Sequence, residues 1–309
     1  MGNVAGVLHL RESAAANPRV RAVDIGGPVC FEEWEGPRER TFVLLHGLGG
    51  SHLNWRLVAP DLARRGRVLV PDLAGYGLTP RAGRSSAILP NRRLLSRFLA
   101  EQASGDVILV GNSMGGALAL LQAAFEPGSV TGIIPTSSVL PWARGGVPAP
   151  IVAGGFTLYR IPVVGERVVR GRFNHLGAEQ SVRLGFRLTA HDASVIPEDL
   201  VGLHIDLLRS RLHDPDASAA FLEGARSILR LLRLRGPYRA ALDAVRCPVL
   251  LIHGSHDRFV PPAFARAAAT RHPDWRLIVM PEVGHIPQME APHRWTVAVR
   301  RWLDDLVDR

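Results

Sequence analysis

The chain of 309 residues contains no lysine at all; its 37 basic side chains are all arginine. That absence excludes Schiff-base chemistry and a lysine general base. Cysteine is nearly absent as well. Cys30 and Cys247 are the only two, with neither a metal-ligand spacing nor a disulfide framework between them. Cys247 stands before Pro248 at the start of an apolar run and reads as a buried structural thiol. No apolar stretch is long enough to span a bilayer. The opening MGNVAGVLHLRES lacks the basic and apolar regions of a signal peptide, and Gly6 stands where Gly2 myristoylation wants serine or threonine. A cytoplasmic protein is expected. Nor is there a nucleic-acid motif: the formal charge of +9 is spread along the chain, which argues against a nucleic-acid partner.

What is present is an alternation. Short apolar runs at 20–25, 29–34, 41–45, 68–70, 107–110, 130–134, 249–252 and 276–280 read as strands. Helical patterns lie between them at 55–65, 94–102, 114–125, 262–271 and 292–307. Alternating strands and helices predict an α/β fold, a mainly parallel eight-stranded sheet covered on both faces. Gly26-Gly27-Pro28 joins the first two strands as a hairpin, so the sheet should begin antiparallel. The alternation stops after Ile134 and resumes at Cys247. Residues 1–135 and 246–309 therefore read as a catalytic domain, and 136–245 as an inserted helical cap.

The strand at 107–110 runs straight into Gly111-Asn112-Ser113-Met114-Gly115, and a helix follows. In a strand–turn–helix context, G-x-S-x-G lifts a serine onto a tight bend beside a helix N-terminus. Small residues flank it because nothing larger fits. A serine needs a base, and the base an orienting acid. Among 12 histidines, position in the strand order selects His285, in the loop after the last strand. Asp257 lies in the loop after the preceding strand. Ser113, Asp257 and His285 thus follow in order, each past the carboxyl end of a parallel strand, where this architecture binds ligands. Glu282 is a competing acid on the histidine's own loop. His253 and His256 read as loop hydrogen-bonders and His46 as structural. His175, His191, His204 and His213 show no metal-ligand spacing, and no metal is expected. Backbone N–H groups of Leu48, in the glycine loop 46–50, and of Met114 are the candidate oxyanion donors.

These motifs together resemble the α/β-hydrolase superfamily: HGLGG (46–50), PDLAGYGLT (71–79), GNSMGG (111–116), HGSHDRFVP (253–261) and GHIPQMEAP (284–292). The resemblance implies a Ser-His-Asp triad, no cofactor, a cap over the site, and structural roles for Asp72, Gly75 and Gly77. Epoxide hydrolases and haloalkane dehalogenases use an aspartate where this chain has Ser113. Hydroxynitrile lyases of this fold need a lysine. The expected substrate is a small-molecule carboxylic ester. A carbon–carbon hydrolase of the meta-cleavage-product type is the alternative, although Gly50 replaces the proline of its HGxGPG loop and Ile286 its tryptophan. A non-catalytic small-molecule receptor on the same fold is the third reading. Trp55 and Trp142 are expected to wall the substrate cleft. Residues 151–156 and 161–164 either line an acyl pocket or pack the cap. Arg226, Arg230 and Arg233 share a helix face that reads either as a cap surface or as a contact with an anionic membrane.

Overall fold

The computed structural model describes residues 18–307 apart from position 213. His213 and the opening segment with Gly2 lie outside the described residues. Eight strands form one sheet: β1 (Arg19–Asp24), β2 (Pro28–Trp34), β3 (Arg40–Leu45), β4 (Arg67–Pro71), β5 (Asp106–Asn112), β6 (Gly132–Thr136), β7 (Leu250–Gly254) and β8 (Arg276–Met280). Their order is β1-β2-β4-β3-β5-β6-β7-β8. The β1–β2 and β2–β4 pairs are antiparallel and all the others parallel, as the hairpin and the later alternation require.

Side-chain alternation explains why the inner parallel strands β3, β5 and β6 are apolar through their middles. Leu109 and Leu45 face one buried layer, while Ile108, Val110 and Leu44 face the other. With helices on both sides, apolar residues suit both faces there, and the buried polar side chains of the sheet, such as Glu33 and Thr41, are paired. The helices are α1 (Ala59–Ala63), α2 (Ile88–Gln102), α3 (Met114–Phe125), α4 (Pro150–Arg160), α5 (Val164–Thr189), α6 (Glu198–Arg211), α7 (Pro215–Arg233), α8 (Arg235–Asp243), α9 (Pro262–Arg271), α10 (Pro287–Glu290) and α11 (Pro292–Val307).

Two helices differ from expectation, both because of proline. Residues 55–65 do not form one helix. A 3-10 turn capped by Ser51 covers His52–Trp55, and α1 restarts at Ala59. Pro60 has no N–H to continue the ladder, so the break falls there. Conversely, α2 begins six residues before the expected Leu94. Pro90 sits in its first turn, where the backbone N–H has no intrahelical acceptor anyway.

Helices α4–α8 all lie between β6 and β7, with no strand among the described residues there. A third apolar cluster joins α5 and α6 to the segment after His285, through Phe186, Leu200, Ile205, Ile286 and Met289. No helix among the described residues is long and apolar enough to cross a membrane. The cysteines are free and half-buried, so Cys247 is less enclosed than its sequence context suggested. Burial pushes its thiol up to about 11, the behaviour of an inert thiol.

Candidate functional site

Ser113 stands between β5 and α3 at φ +55°, a left-handed conformation that a serine adopts only when its surroundings impose it. Its N–H donates to Thr136 O (3.0 Å), and its own carbonyl accepts from the N–H of Val139 (3.1 Å). The glycines around it are obligatory. A Cβ on Gly111 would lie 2.2 Å from Gly115 O, and one on Gly115 2.2 Å from Leu45 O. The bend therefore folds only with this spacing. Met114 is the first residue of α3, so its N–H has no intrahelical acceptor.

Asp257 and His285 meet from neighbouring loops. His285 Nδ1 donates to Asp257 Oδ2 at 2.8 Å. The other carboxylate oxygen, Oδ1, accepts the backbone N–H groups of Phe259 (2.8 Å) and Val260 (2.9 Å). His253 Nε2 lies 2.8 Å from Val260 O and 3.2 Å from Asp257 Oδ2. Burial alone would push the Asp257 carboxyl up, but the charge of His285 and the hydrogen bonds from His253 and His285 outweigh it. The carboxyl is held well below the usual carboxylate range. The imidazole of His285 stacks on Phe259, with centroids 5.0 Å apart. Its backbone is gripped twice: its N–H donates to Thr189 O at the end of α5 (2.7 Å), and its carbonyl accepts from Asn112 Nδ2 (3.0 Å).

The competing groups fall elsewhere. Glu282 is exposed and uses its backbone N–H to reach Ser255 Oγ (3.0 Å). His256 Nδ1 bonds that same hydroxyl (2.8 Å). His46 accepts the N–H of Leu73 at Nε2 and donates from Nδ1 to Gly47 O, while burial lowers its pKa. Asp72 receives the N–H groups of His52 and Leu78 and the His52 ring.

Ser113, His285 and Leu48 line one cavity of about 670 Å³ between the sheet edge and α4–α7. A larger cleft of about 840 Å³, between α2 and α7, holds none of the three. In the glycine loop, Gly49 at φ +73° closes a turn in which Gly50 N–H donates to Gly47 O (3.1 Å). That turn presents Leu48 to the cavity. Trp142 also lines it, tilted against Phe264 at 5.5 Å. Trp55 does not, which corrects the expectation. It is fully buried in the opposite layer against Trp295, centroids 6.0 Å apart. Ile151, Val152 and Phe156 line the cavity; Ile161 and Val163 are exposed. Arg226 donates to Glu166 (3.0 Å) and to Tyr159 O (2.8 Å), tying α7 to α4 and α5.

Sequence reasoning passed over two residues. Asn112 read as the variable position of G-x-S-x-G, yet its amide links the serine bend to the histidine loop. His204 was considered only as a metal ligand, but it borders the cavity. Its position on α6 in step with Leu207, Leu208 and Arg211 was the available signal, since all four face the cavity at helical spacing.

A mostly parallel sheet covered on both faces, with a serine bend at its carboxyl edge, is the architecture of an α/β hydrolase. Residues 42–299 match the alpha/beta hydrolase family, and the chain belongs to it. It is 31% identical over 268 residues to a pimeloyl-[acyl-carrier protein] methyl ester esterase of Aromatoleum aromaticum, covering 83% of this chain and 95% of that one. It is 28% identical to a 2-hydroxy-6-oxononadienedioate/2-hydroxy-6-oxononatrienedioate hydrolase of Cupriavidus pinatubonensis, covering 82% and 83%. In fold it is similar to a putative lipase of Acinetobacter baumannii (TM-score 0.76, 18% identity, covering 98% and 100%). It is equally similar in fold to haloalkane dehalogenase DbeA of Bradyrhizobium elkani (TM-score 0.79, 22% identity, covering 94% and 99%).

Proposed function

We propose that the protein is a serine hydrolase of carboxylic esters, with Ser113 as nucleophile, His285 as general base and Asp257 as the group that orients it. One observation carries this reading. A serine held at φ +55° shares a cavity with a histidine whose Nδ1 is fixed by a buried carboxylate at 2.8 Å. That bond leaves Nε2 as the nitrogen for the serine proton. His285 removes that proton as Ser113 attacks the ester carbonyl, and the N–H groups of Leu48 and Met114 stabilise the oxyanion. The alcohol departs with the proton from His285, and water then cleaves the acyl-enzyme. Helices of 136–245 act as a cap whose α4–α7 surfaces shape the substrate pocket. The ester esterase among the relatives supports this reading, and the dienedioate hydrolase keeps carbon–carbon cleavage as the second reading.

The test is turnover of p-nitrophenyl acetate, butyrate and octanoate by the wild type and Ser113→Ala. The wild type is expected to turn over, the variant to lose turnover while keeping its fold, and a fluorophosphonate to label Ser113 alone. Faster bleaching of a dienol ketoacid than of every ester would favour carbon–carbon cleavage. Tight ligand binding without turnover would favour a receptor.

A further inference from the structure

Exposed apolar side chains are not spread evenly over the molecule. Of the ten large ones among the described residues, five fall within 147–163: Val147, Ile151, Leu158, Ile161 and Val163. Single exposed apolar residues are ordinary, but a cluster of them marks a surface that something covers. Ile151 and Leu158 stand two turns apart on α4 and so share a face. Ile161, Pro162 and Val163 follow in the turn between α4 and α5, all exposed. Val163 sits at φ +68°, a strained conformation for a β-branched residue. Hydrogen bonds from Gly165 N–H to Ile161 O (2.9 Å) and from Arg167 N–H to Val163 O (3.0 Å) hold the turn. The Val163 side chain is 57% exposed, so its own packing does not offset the strain.

The charge around this patch has one sign. From 127 to 171 the chain holds a single acidic residue, Glu166, and Arg226 binds it. Arg144, Arg160, Arg167 and Arg170 are exposed, and their side chains have no hydrogen bond or ion pair among the described residues. Arg144 precedes Val147 by three residues and Arg160 adjoins Ile161, while Arg167 and Arg170 follow Val163 at helical steps of four and three. The patch also reaches the cavity, because Ile151 and Arg160 line it and are exposed as well. The arginine face of α7 does not match this. Arg226 is bonded to Glu166 and Tyr159 O, and no large apolar side chain among the described residues of α7 is exposed.

We propose that the α4 face and the turn after it dock on an anionic lipid surface. The apolar side chains of 147–163 enter the acyl layer, and Arg144, Arg160, Arg167 and Arg170 meet the headgroup phosphates. An anionic bilayer supplies both things this face lacks: an apolar layer for side chains that the protein leaves uncovered, and negative charge for cations that no carboxylate meets. The chain lies on the membrane without a helix that crosses it among the described residues. Docked in this way, the cavity opens against the lipid at Ile151 and Arg160.

The experiment is co-sedimentation of the full chain with vesicles of phosphatidylcholine, alone or mixed with phosphatidylglycerol. The wild type should sediment with the anionic vesicles at low salt, less with the neutral ones, and progressively less as salt rises. Ile161→Ser combined with Val163→Gly should lower vesicle affinity by roughly tenfold, the loss of a few inserted methylenes. Arg144→Gln combined with Arg167→Gln should lower it about fivefold per arginine. All four positions are exposed, so these variants should keep the wild-type circular dichroism spectrum. Arg230→Gln combined with Arg233→Gln removes the same charge from α7 and should leave binding within about twofold. No sedimentation with anionic vesicles at low salt would overturn the proposal, and so would equal losses from the two arginine pairs. A lipid-free dimer in analytical ultracentrifugation that Ile161→Ser with Val163→Gly dissociates would assign the face to a second copy and overturn it too. Vesicle binding is read without turnover, so each of these outcomes is independent of the esterase reading.

Discussion

Replacing Asp257 by asparagine tests the site most sharply, because the surroundings dictate how the new amide must sit. Oδ1 of Asp257 accepts two backbone N–H groups, from Phe259 and Val260, while Oδ2 faces His285 Nδ1 and His253 Nε2. Turning the asparagine NH₂ toward the backbone would set it against two donors that cannot move. Keeping its oxygen there points the NH₂ at the two imidazoles. His253 retains its bond to Val260 O, and His285 resolves the conflict by shifting its proton from Nδ1 to Nε2. That tautomer cannot accept the proton of Ser113. The loss should approach that of serine-protease triads with the same change, on the order of 10⁴ in kcat, or about 5.5 kcal/mol of transition-state stabilisation. The assay is kcat for p-nitrophenyl butyrate near pH 8, with Glu282→Gln as control. Glu282 is exposed and engages Ser255 only through its backbone, so its variant should stay within about twofold of wild type, as surface changes do. An Asp257→Asn enzyme retaining a tenth of wild-type kcat, or a Glu282→Gln enzyme that loses more, would refute the assignment of the acid.

The remaining predictions concern folding. Gly111→Ala places a methyl 2.2 Å from backbone atoms that belong to the serine bend, and should destabilise by about 3 kcal/mol or more, read as a lower denaturant midpoint with loss of Ser113 labelling. Gly202→Ala, in open space on α6, should instead gain roughly 0.5–1 kcal/mol from helix propensity; the same direction for both would sink the steric argument. Glu33 is buried and bonded to Arg21 (2.6 Å) and Arg67 (2.5 Å). Burial works against its ionisation, but those bonds win and hold its carboxyl below the usual range. A depressed carboxylate stabilises fully above its unfolded pKa of about 4.3, and that stability is lost as pH falls through the folded value. Glu33→Gln should therefore weaken the fold at neutral pH by about 3 kcal/mol, with the gap to wild type closing below about pH 4 in urea titrations. A gap that widens on acidification would show the sign to be wrong.

Much of the fold was readable from order along the chain. Eight runs became eight strands: the inner parallel ones are covered on both faces and so read as continuous apolar stretches, while the antiparallel β1 and β2 were marked by the hairpin at Gly26-Gly27-Pro28. The serine bend was readable for a related reason: its glycines answer to contacts a few residues away, such as Gly111 against Gly115. The loops holding Asp257 and His285 could be placed because each follows a strand, and strand order alone sends them to one edge. Hydrogen-bond direction could not be read that way. The bond that pairs Asp257 with His285 spans 28 residues, and the one from Asn112 to the His285 carbonyl spans 173. Trp55 was misplaced because the layer it joins is set by packing against Trp295, far along the chain. His204 was legible only through its helical spacing with Leu207, Leu208 and Arg211, which puts the four on one face. Only the packing of α6 set that face at the cavity wall, with His204 edge-on to Phe186, since which neighbours a helix face meets belongs to the three-dimensional neighbourhood.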